Sequence, residues 1–119
     1  MNRILIIEDE KKIASFIERG LQKNGFATTV AFNGEHALQV AQTKTHKAIL
    51  LDLGLSVKDG WTVLKELRDQ GNDCPVIVVT ARDETLQNVL SAGANDYVSK
   101  PFRFQDLLTA VQRHLKQRS

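Results

Sequence analysis

Cysteine, proline and tryptophan are scarce in this chain: one cysteine, two prolines and one tryptophan in 119 residues. A lone Cys74 rules out an internal disulfide and has no second cysteine with which to share a zinc site, which fits a reducing compartment. It reads as a small apolar filler. Long hydrophobic runs are missing too. The longest, residues 48–51 and 76–79, are far too short to span a bilayer and are flanked by polar groups, so no membrane association is expected. The start, Met1-Asn2-Arg3 followed at once by Ile4-Leu5-Ile6-Ile7 and then acids, lacks the longer apolar region and cleavage site of a secretory signal. Together these absences predict a cytoplasmic protein. A dominant charge is also lacking: the net +2 is too slight to argue for nucleic acid. The basic end (Arg113, His114, Lys116, Arg118) reads as cations complementing a helix C-terminus. No internal repeat, linker or low-complexity tract interrupts the chain. An apolar content of 42% with 25% charged residues is that of one globular domain, expected over residues 1–119.

What is present is an alternation. Short apolar, β-rich runs at residues 4–7, 27–31, 47–51, 76–79 and 96–98 are separated by segments of helical spacing. Ile13, Phe16, Ile17 and Leu21 fall at i, i+3, i+4 and i+8, and Phe104, Leu107, Leu108, Val111 and Leu115 repeat the stripe near the end. Gly25 suits a helix C-cap, Asn33-Gly34 a turn, Gly71 another helix stop, and Cys74-Pro75 the approach to a strand. The three central runs are continuously apolar, as strands covered by helices on both faces should be. Five strands alternating with five helices predict an α/β fold, a doubly wound parallel sheet in three layers whose ligands sit at the carboxyl ends of the strands.

That rule turns a list of residues into a site. Just after the first, third, fourth and fifth runs come Glu8-Asp9, Asp52, Thr80 and Lys100. Mg²⁺ prefers oxygen ligands and is usually held by one or two carboxylates, waters and phosphate oxygens, so Asp9 and Asp52 are natural ligands with Glu8 acting through water. A carboxylate beside such a metal can attack phosphorus to give an acyl phosphate. Lys100 and the Thr80 hydroxyl would supply a cation and a donor to the transferring group. Taken singly, each residue has a plainer explanation. Glu8, Asp9 and Glu10 could cap and charge-complement the first helix, Asp52 could be a turn residue, Thr80 a strand-end hydroxyl and Lys100 a solvated charge. The four strand ends in register favour the site.

The sequence resembles the receiver domain of bacterial two-component response regulators over its whole length. The motifs that carry the resemblance are Ile6-Ile7-Glu8-Asp9-Glu10, Leu50-Leu51-Asp52-Leu53 with Asp59-Gly60 downstream, Val79-Thr80-Ala81-Arg82, Gly93-Ala94-Asn95-Asp96-Tyr97 and Lys100-Pro101-Phe102. The resemblance implies a flavodoxin-like sheet of order 2-1-3-4-5. It implies that Asp52 is the phosphoacceptor, that Glu8 and Asp9 form the Mg²⁺ pocket with the Gly54 backbone carbonyl as a further ligand, and that Lys100 contacts the phosphate. A cis peptide before Pro101 is implied as well. It also implies a switch in which Thr80 is drawn toward the phosphate and the Tyr97 ring turns inward, changing the surface of the fourth helix, fifth strand and fifth helix. The donor would be a sensor histidine kinase in trans. The chain would be a signalling domain that catalyses only its own phosphorylation and dephosphorylation, not an enzyme with a separate substrate.

The wording around Thr80-Ala81-Arg82-Asp83-Glu84 and residues 93–97 is most similar to the winged-helix transcription factors of the OmpR/PhoB type, which dimerise through that surface. Output through transcription is thus expected by way of a DNA-binding effector domain absent from this chain; a stand-alone regulator or a phosphorylation-independent adaptor is the alternative. Three departures stand out. The spacing from Thr80 to Tyr97 is a little shorter than usual, so the fourth helix or the loop before it should be shortened. Residues 85–90 carry no basic side chain and Ala110 stands at a usually basic position, with Asp106 retained and Arg113 nearby, so dimerisation should be weakened or altered. Ser56 replaces an expected proline, and Gly54 replaces a larger side chain beside Asp52; Gly54 and Arg82 occupy positions that influence phosphate lifetime. A Mg²⁺-dependent phosphatase would want an acid where Gly54 stands, and a nucleotide-binding module would not place Glu8-Asp9-Glu10 where phosphate must lie. The histidines offer no relay: His36 and His46 read as exposed helix and strand-edge residues, and His114 as a surface residue.

Overall fold

The computed structural model describes residues 2–55, 57–81 and 84–118. Ser56 and Arg82, and the side chains of Lys116 and Arg118, lie outside the described residues. The elements alternate as β1 (Arg3–Ile7), α1 (Lys11–Lys23), β2 (Ala27–Ala31), α2 (Gly34–Ala41), β3 (Ala48–Leu51), α3 (Gly60–Asp69), β4 (Val76–Thr80), α4 (Leu86–Ser91), β5 (Asp96–Ser99) and α5 (Phe104–Arg118). All four strand pairings are parallel and the order is β2-β1-β3-β4-β5, the expected doubly wound sheet.

The unbroken apolar runs of the central strands have a physical cause. Side chains alternate across a strand, so Leu5, Ile7, Ile49, Leu51, Val76 and Val78 enter one core with Leu64 and Leu67 of α3 and Val89 of α4. Their neighbours Ile4, Ile6, Ala48, Leu50, Ile77 and Val79 enter a second core with Ile17 and Leu21 of α1 and Leu107 and Val111 of α5. Each fully buried aliphatic side chain contributes roughly 1.5–3 kcal/mol of transfer free energy, which makes the central strands the stable base from which the loops at their carboxyl ends project.

Helix ends follow the sequence punctuation. Gly25 and Gly71, at φ 89° and 77°, sit just past α1 and α3. Their amides, and those of Phe26 and Asn72, return hydrogen bonds to the last turn of each helix. Asn33 does more than turn the chain: its side chain accepts from the His36 amide at 2.9 Å and caps α2. The expected shortening appears in α4, which has six residues and is capped by Thr85. Two expectations fail. His46 and His114, read as surface residues, are buried. His46 tucks against Thr29 of the edge strand, and His114 lies on the inner face of α5, 3.0 Å from Asp96.

Arg68 of α3 ties together the end of the sheet opposite the site. It donates to the carbonyls of Gly93, Asn72 and Cys74 and to Asn95 Oδ1, all within 3.0 Å, while Asn95 Oδ1 also accepts from the Val76 amide. Charge-assisted bonds to several backbone acceptors at once anchor the C-terminal end of α4 to α3 and β4. Arg68→Met, which keeps the aliphatic stem, should lower the unfolding free energy by about 2–4 kcal/mol in urea denaturation. A change below about 0.5 kcal/mol would mean that water replaces the guanidinium without loss.

Candidate functional site

The parallel register brings the expected residues together. Glu8 and Asp9 follow β1, Asp52 follows β3, Thr80 ends β4 and Lys100 follows β5. Backbone bonds between strand ends fix their level: Asp52 N to Ile7 O at 3.0 Å, Glu8 N to Ala31 O at 3.1 Å and Lys100 N to Thr80 O at 2.8 Å. Glu8, Asp52 and Thr80 are buried, and Asp9 is half-buried at the rim. The Lys100-Pro101 peptide is cis, as the resemblance implied.

Within this pocket, carboxylate oxygens of Glu8, Asp9 and Asp52 all lie within 4.8 Å of one another. Lys100 Nζ is 2.7 Å from Glu8 Oε1 and 3.5 Å from Asp52 Oδ2. The ammonium therefore leans toward the more deeply buried acid, a pairing the sequence did not reveal. Asp52 Oδ1 accepts the Gly54 amide at 3.0 Å, so one acceptor oxygen is held by backbone while the other faces Lys100. Burial pushes the Glu8 carboxyl up to about 7; the Lys100 hydrogen bond opposes this and the Asp52 charge adds to it. Burial alone would lower Lys100, but the hydrogen bond to Glu8 and the two carboxylate charges outweigh it and raise its value.

The helix-capping explanation fails on geometry for Glu10. Glu10 stands at the N-cap of α1 with no side-chain capping bond, and the first turn of α1 contains no acid. The Glu8 side chain instead points into the pocket, where its Oε2 accepts the Glu10 amide at 3.3 Å. Three carboxylates presenting oxygen, with one ammonium beside them, fit a small hard divalent ion.

Two glycines shape the surroundings of Asp52. Gly54 is exposed, and a Cβ there would meet Asp52 Oδ1 at 3.6 Å, an ordinary contact, so the openness above Asp52 follows from the residue and not from a backbone requirement. Gly60 is the opposite case. A Cβ at Gly60 would lie 2.5 Å from Leu53 Cα and 2.7 Å from the Asp52 carbonyl oxygen. The start of α3 thus packs flush against the Asp52–Leu53 peptide, a role the sequence showed only as an Asp59-Gly60 motif. Tyr97 sits on β5 opposite Val78, partly buried against the α3–α4 side of the core.

A five-stranded parallel α/β sheet with an acidic pocket and a lysine at its carboxyl edge defines a class, and comparison places the chain within it. Residues 4–112 match the response regulator receiver domain family, and the chain belongs to that family. It is 37% identical over 119 residues to the transcriptional regulatory protein DltR of Streptococcus agalactiae, covering 98% of this chain and 53% of that protein. The chain therefore spans about half the length of the curated relatives it matches. Among solved structures, the receiver domain of Francisella response regulator 1452 superposes with a TM-score of 0.94 at 36% identity over all of both chains. The response regulator TrrA of Thermotoga maritima, solved with Mg²⁺-BeF, superposes at 0.87 with 31% identity, over 96% of this chain and 99% of that one. No helix among the described residues is long and apolar enough to cross a membrane.

The raised Glu8 value has a consequence for stability. Between its ordinary 4.5 and about 7, the folded protein holds a proton that the unfolded chain releases, so stability is fully present below pH 4.5 and is lost as pH rises through 7. In a chelating buffer, urea midpoints between pH 5 and 8 should fall for the wild type more than for Glu8→Gln. Parallel profiles would show that Glu8 ionises without cost.

Proposed function

We propose that Asp52 accepts a phosphoryl group from a sensor histidine kinase and that the resulting acyl phosphate switches the surface formed by α4, β5 and α5. The observation that carries this reading is the acceptor itself: a buried carboxylate with Oδ1 held by the Gly54 amide and Oδ2 facing Lys100 at 3.5 Å. Oδ2 attacks phosphorus, a new P–O bond forms, and the donor's imidazole leaves with the electron pair of the broken P–N bond. Lys100 needs only a small shift from Glu8 to meet the phosphoryl oxygens, and the Thr80 hydroxyl adds a hydrogen bond from the neighbouring strand end. Glu8 through water, Asp9, Asp52 and the Gly54 carbonyl are the residues that would hold Mg²⁺, which when bound supplies charge neutralisation to the transferring group. The Mg²⁺-BeF carried by TrrA, a relative of the same fold, supports that choice.

Beside Lys100 runs an apolar groove of about 410 Å³ lined by Ile13, Phe16, Ala81 and Phe102. Phe16 is half exposed and lies 6.3 Å from Phe102 and 6.0 Å from Phe104, centroid to centroid. A kinase helix seated there would bring its phosphohistidine to Asp52. Phosphorylation adds charge and acceptor oxygens that favour one of two packings, with Thr80 drawn in and the Tyr97 ring turned inward. Output in transcription, by way of an effector domain, is supported by the relatives named as transcriptional regulators. A homodimer through α4, β5 and α5 would be weak, because residues 85–90 carry no basic side chain.

Incubation with a small phosphodonor and Mg²⁺ should give a single phosphate adduct by mass spectrometry, absent in Asp52→Asn. An adduct that survives the substitution would place the acceptor elsewhere. Because a side chain at position 54 would start 3.6 Å from Asp52 Oδ1, Gly54→Met should slow or speed decay of the adduct at least about threefold, a barrier change of some 0.7 kcal/mol. An unchanged decay rate would remove position 54 from control of phosphate lifetime.

A further inference from the structure

At the end of the sheet opposite the acceptor, a buried histidine lacks the partners it would need if charged. His46 lies in the turn between α2 and β3. Its Nε2 is 3.3 Å from Thr29 Oγ1 on β2, and that same hydroxyl is 3.3 Å from Arg3 Nη1 on β1. Its Nδ1 is shut off from solvent and, among the described residues, has no hydrogen-bond partner. Its carbonyl accepts the thiol of Cys74, just before β4, at 3.4 Å. The segment holding the ring is itself strained: Lys44 adopts φ 55°, in the left-handed region, without being glycine. Beside it lies a cavity of about 390 Å³ lined by Asn2, Lys44, Lys47, Asp73 and Leu115 together with His46 and Cys74.

The neutral ring is tolerated with its N–H on Nε2, facing Thr29 Oγ1, and a bare nitrogen at Nδ1. The imidazolium is not. Both nitrogens would then donate, Nδ1 into a space without an acceptor and Nε2 toward a hydroxyl that already faces the Arg3 guanidinium. Burying an unsatisfied donor and an unpaired charge together is among the costliest arrangements a core can hold. Among the described residues, the charged groups beside the ring and its cavity are Arg3 from β1, Lys44 and Lys47 from its own turn, and Asp73 from the loop before β4; β2 contributes Thr29 and α5 Leu115. The Arg3 guanidinium reinforces the exclusion of a further positive charge. In keeping with this, burial and then Arg3 hold His46 below its ordinary value of 6.5.

We propose that His46 is an acid-sensitive latch: protonation of its ring releases the turn at residues 43–47 and uncovers the thiol of Cys74. The latched form binds one proton fewer than the opened form below about pH 6.5, so opening gains as pH falls. The device acts at the starting ends of β3 and β4, the two strands whose far ends carry Asp52 and Thr80.

Cys74 is the chain's one cysteine, so thiol labelling reads this opening directly. With an uncharged alkylating reagent, the labelling rate of the wild type divided by that of His46→Gln should rise from pH 7.5 to 5.5 by up to about tenfold, the limit for one proton with an open-state value near 6.5. The thiol's own pH dependence cancels in the ratio, and a flat ratio overturns the proposal. A second measurement needs no variant. In the wild type, the His46 ring resonances should titrate with a midpoint below about 6.5, and the amides of residues 43–47 and 72–74 should shift or broaden at the same midpoint. A midpoint at or above the ordinary imidazole value, or a titration that leaves those amides unmoved, overturns it equally.

Discussion

Two buried carboxylates share one ammonium at adjacent strand ends, and the rest of the carboxyl edge is arranged around that imbalance. Glu8 and Asp52 lie on either side of Lys100 at 2.7 and 3.5 Å, with Asp9 contributing a third acid at the rim. Among the described residues one ammonium sits against these three carboxylates; burial first, and then the charge of Asp52, raises the Glu8 value against the pull of Lys100. An added cation or an added proton relieves the imbalance. The pocket is therefore unstable toward gaining positive charge, which is the electrostatic condition for drawing in a divalent ion together with an anionic group that the ion can bridge. This condition depends on register: Asp52 N to Ile7 O and Lys100 N to Thr80 O hold the three strand ends at one level, and a slip of one residue in any of them would turn its acid or amine away.

The parts of this arrangement that could be read in the sequence were those set by local chemistry and strand periodicity. Unbroken runs such as Ile49-Leu50-Leu51 and Val76-Ile77-Val78 announced strands buried on both faces, and both cores confirm it. Gly25 and Gly71 announced helix stops. Once the strands were placed, the acids, hydroxyl and amine fell at their ends without further information. The failures share a different cause. His46 follows a loop with no periodicity, so the direction of its side chain was decided by Thr29, contributed by another strand. Gly60 needs no special backbone angle; it is small because the Asp52–Leu53 peptide passes close by. The preference of Lys100 for Glu8 is a difference in burial between two acids far apart in sequence. His114 was legible and misjudged: it falls at i+7 from Leu107 and i+3 from Val111, on the buried stripe of α5, and its polarity hid the spacing.

The α4, β5 and α5 surface combines a short, uncharged helix with a last helix that is ion-paired to β5. α4 is reduced to six residues, with Leu86 and Leu90 exposed and no charge among its side chains. On the other side of the surface, Arg113 and His114 of α5 both meet Asp96 Oδ2, at 2.9 and 3.0 Å. The basic residue nearest the position of Ala110 is thus engaged within its own chain, and that engagement fixes α5 to the start of β5. A surface whose Arg113 and His114 are engaged internally, and whose α4 presents leucines, offers apolar contact in place of an ion-pair ladder.

The same contacts say where such a surface can move. Arg68 binds the carbonyl of Gly93 and the side chain of Asn95, so the C-terminal end of α4 is held to α3. Its N-terminal end, at Leu86, follows Thr80 by six positions in the chain, and has Thr85 as a local cap. Under the proposed switch, a pull on Thr80 acts on the near end of a short lever whose far end is pinned, and Tyr97, paired with Val78 one strand over, lies beside the swept volume. A six-residue helix has few intrahelical bonds to resist this, because its first and last turns are nearly all of it. Shortening α4 therefore weakens its resistance to being moved while removing the charges a partner could hold, and the two effects act in opposite directions on signal output: the first lowers the energy separating the two packings, the second lowers what a partner gains by selecting one of them.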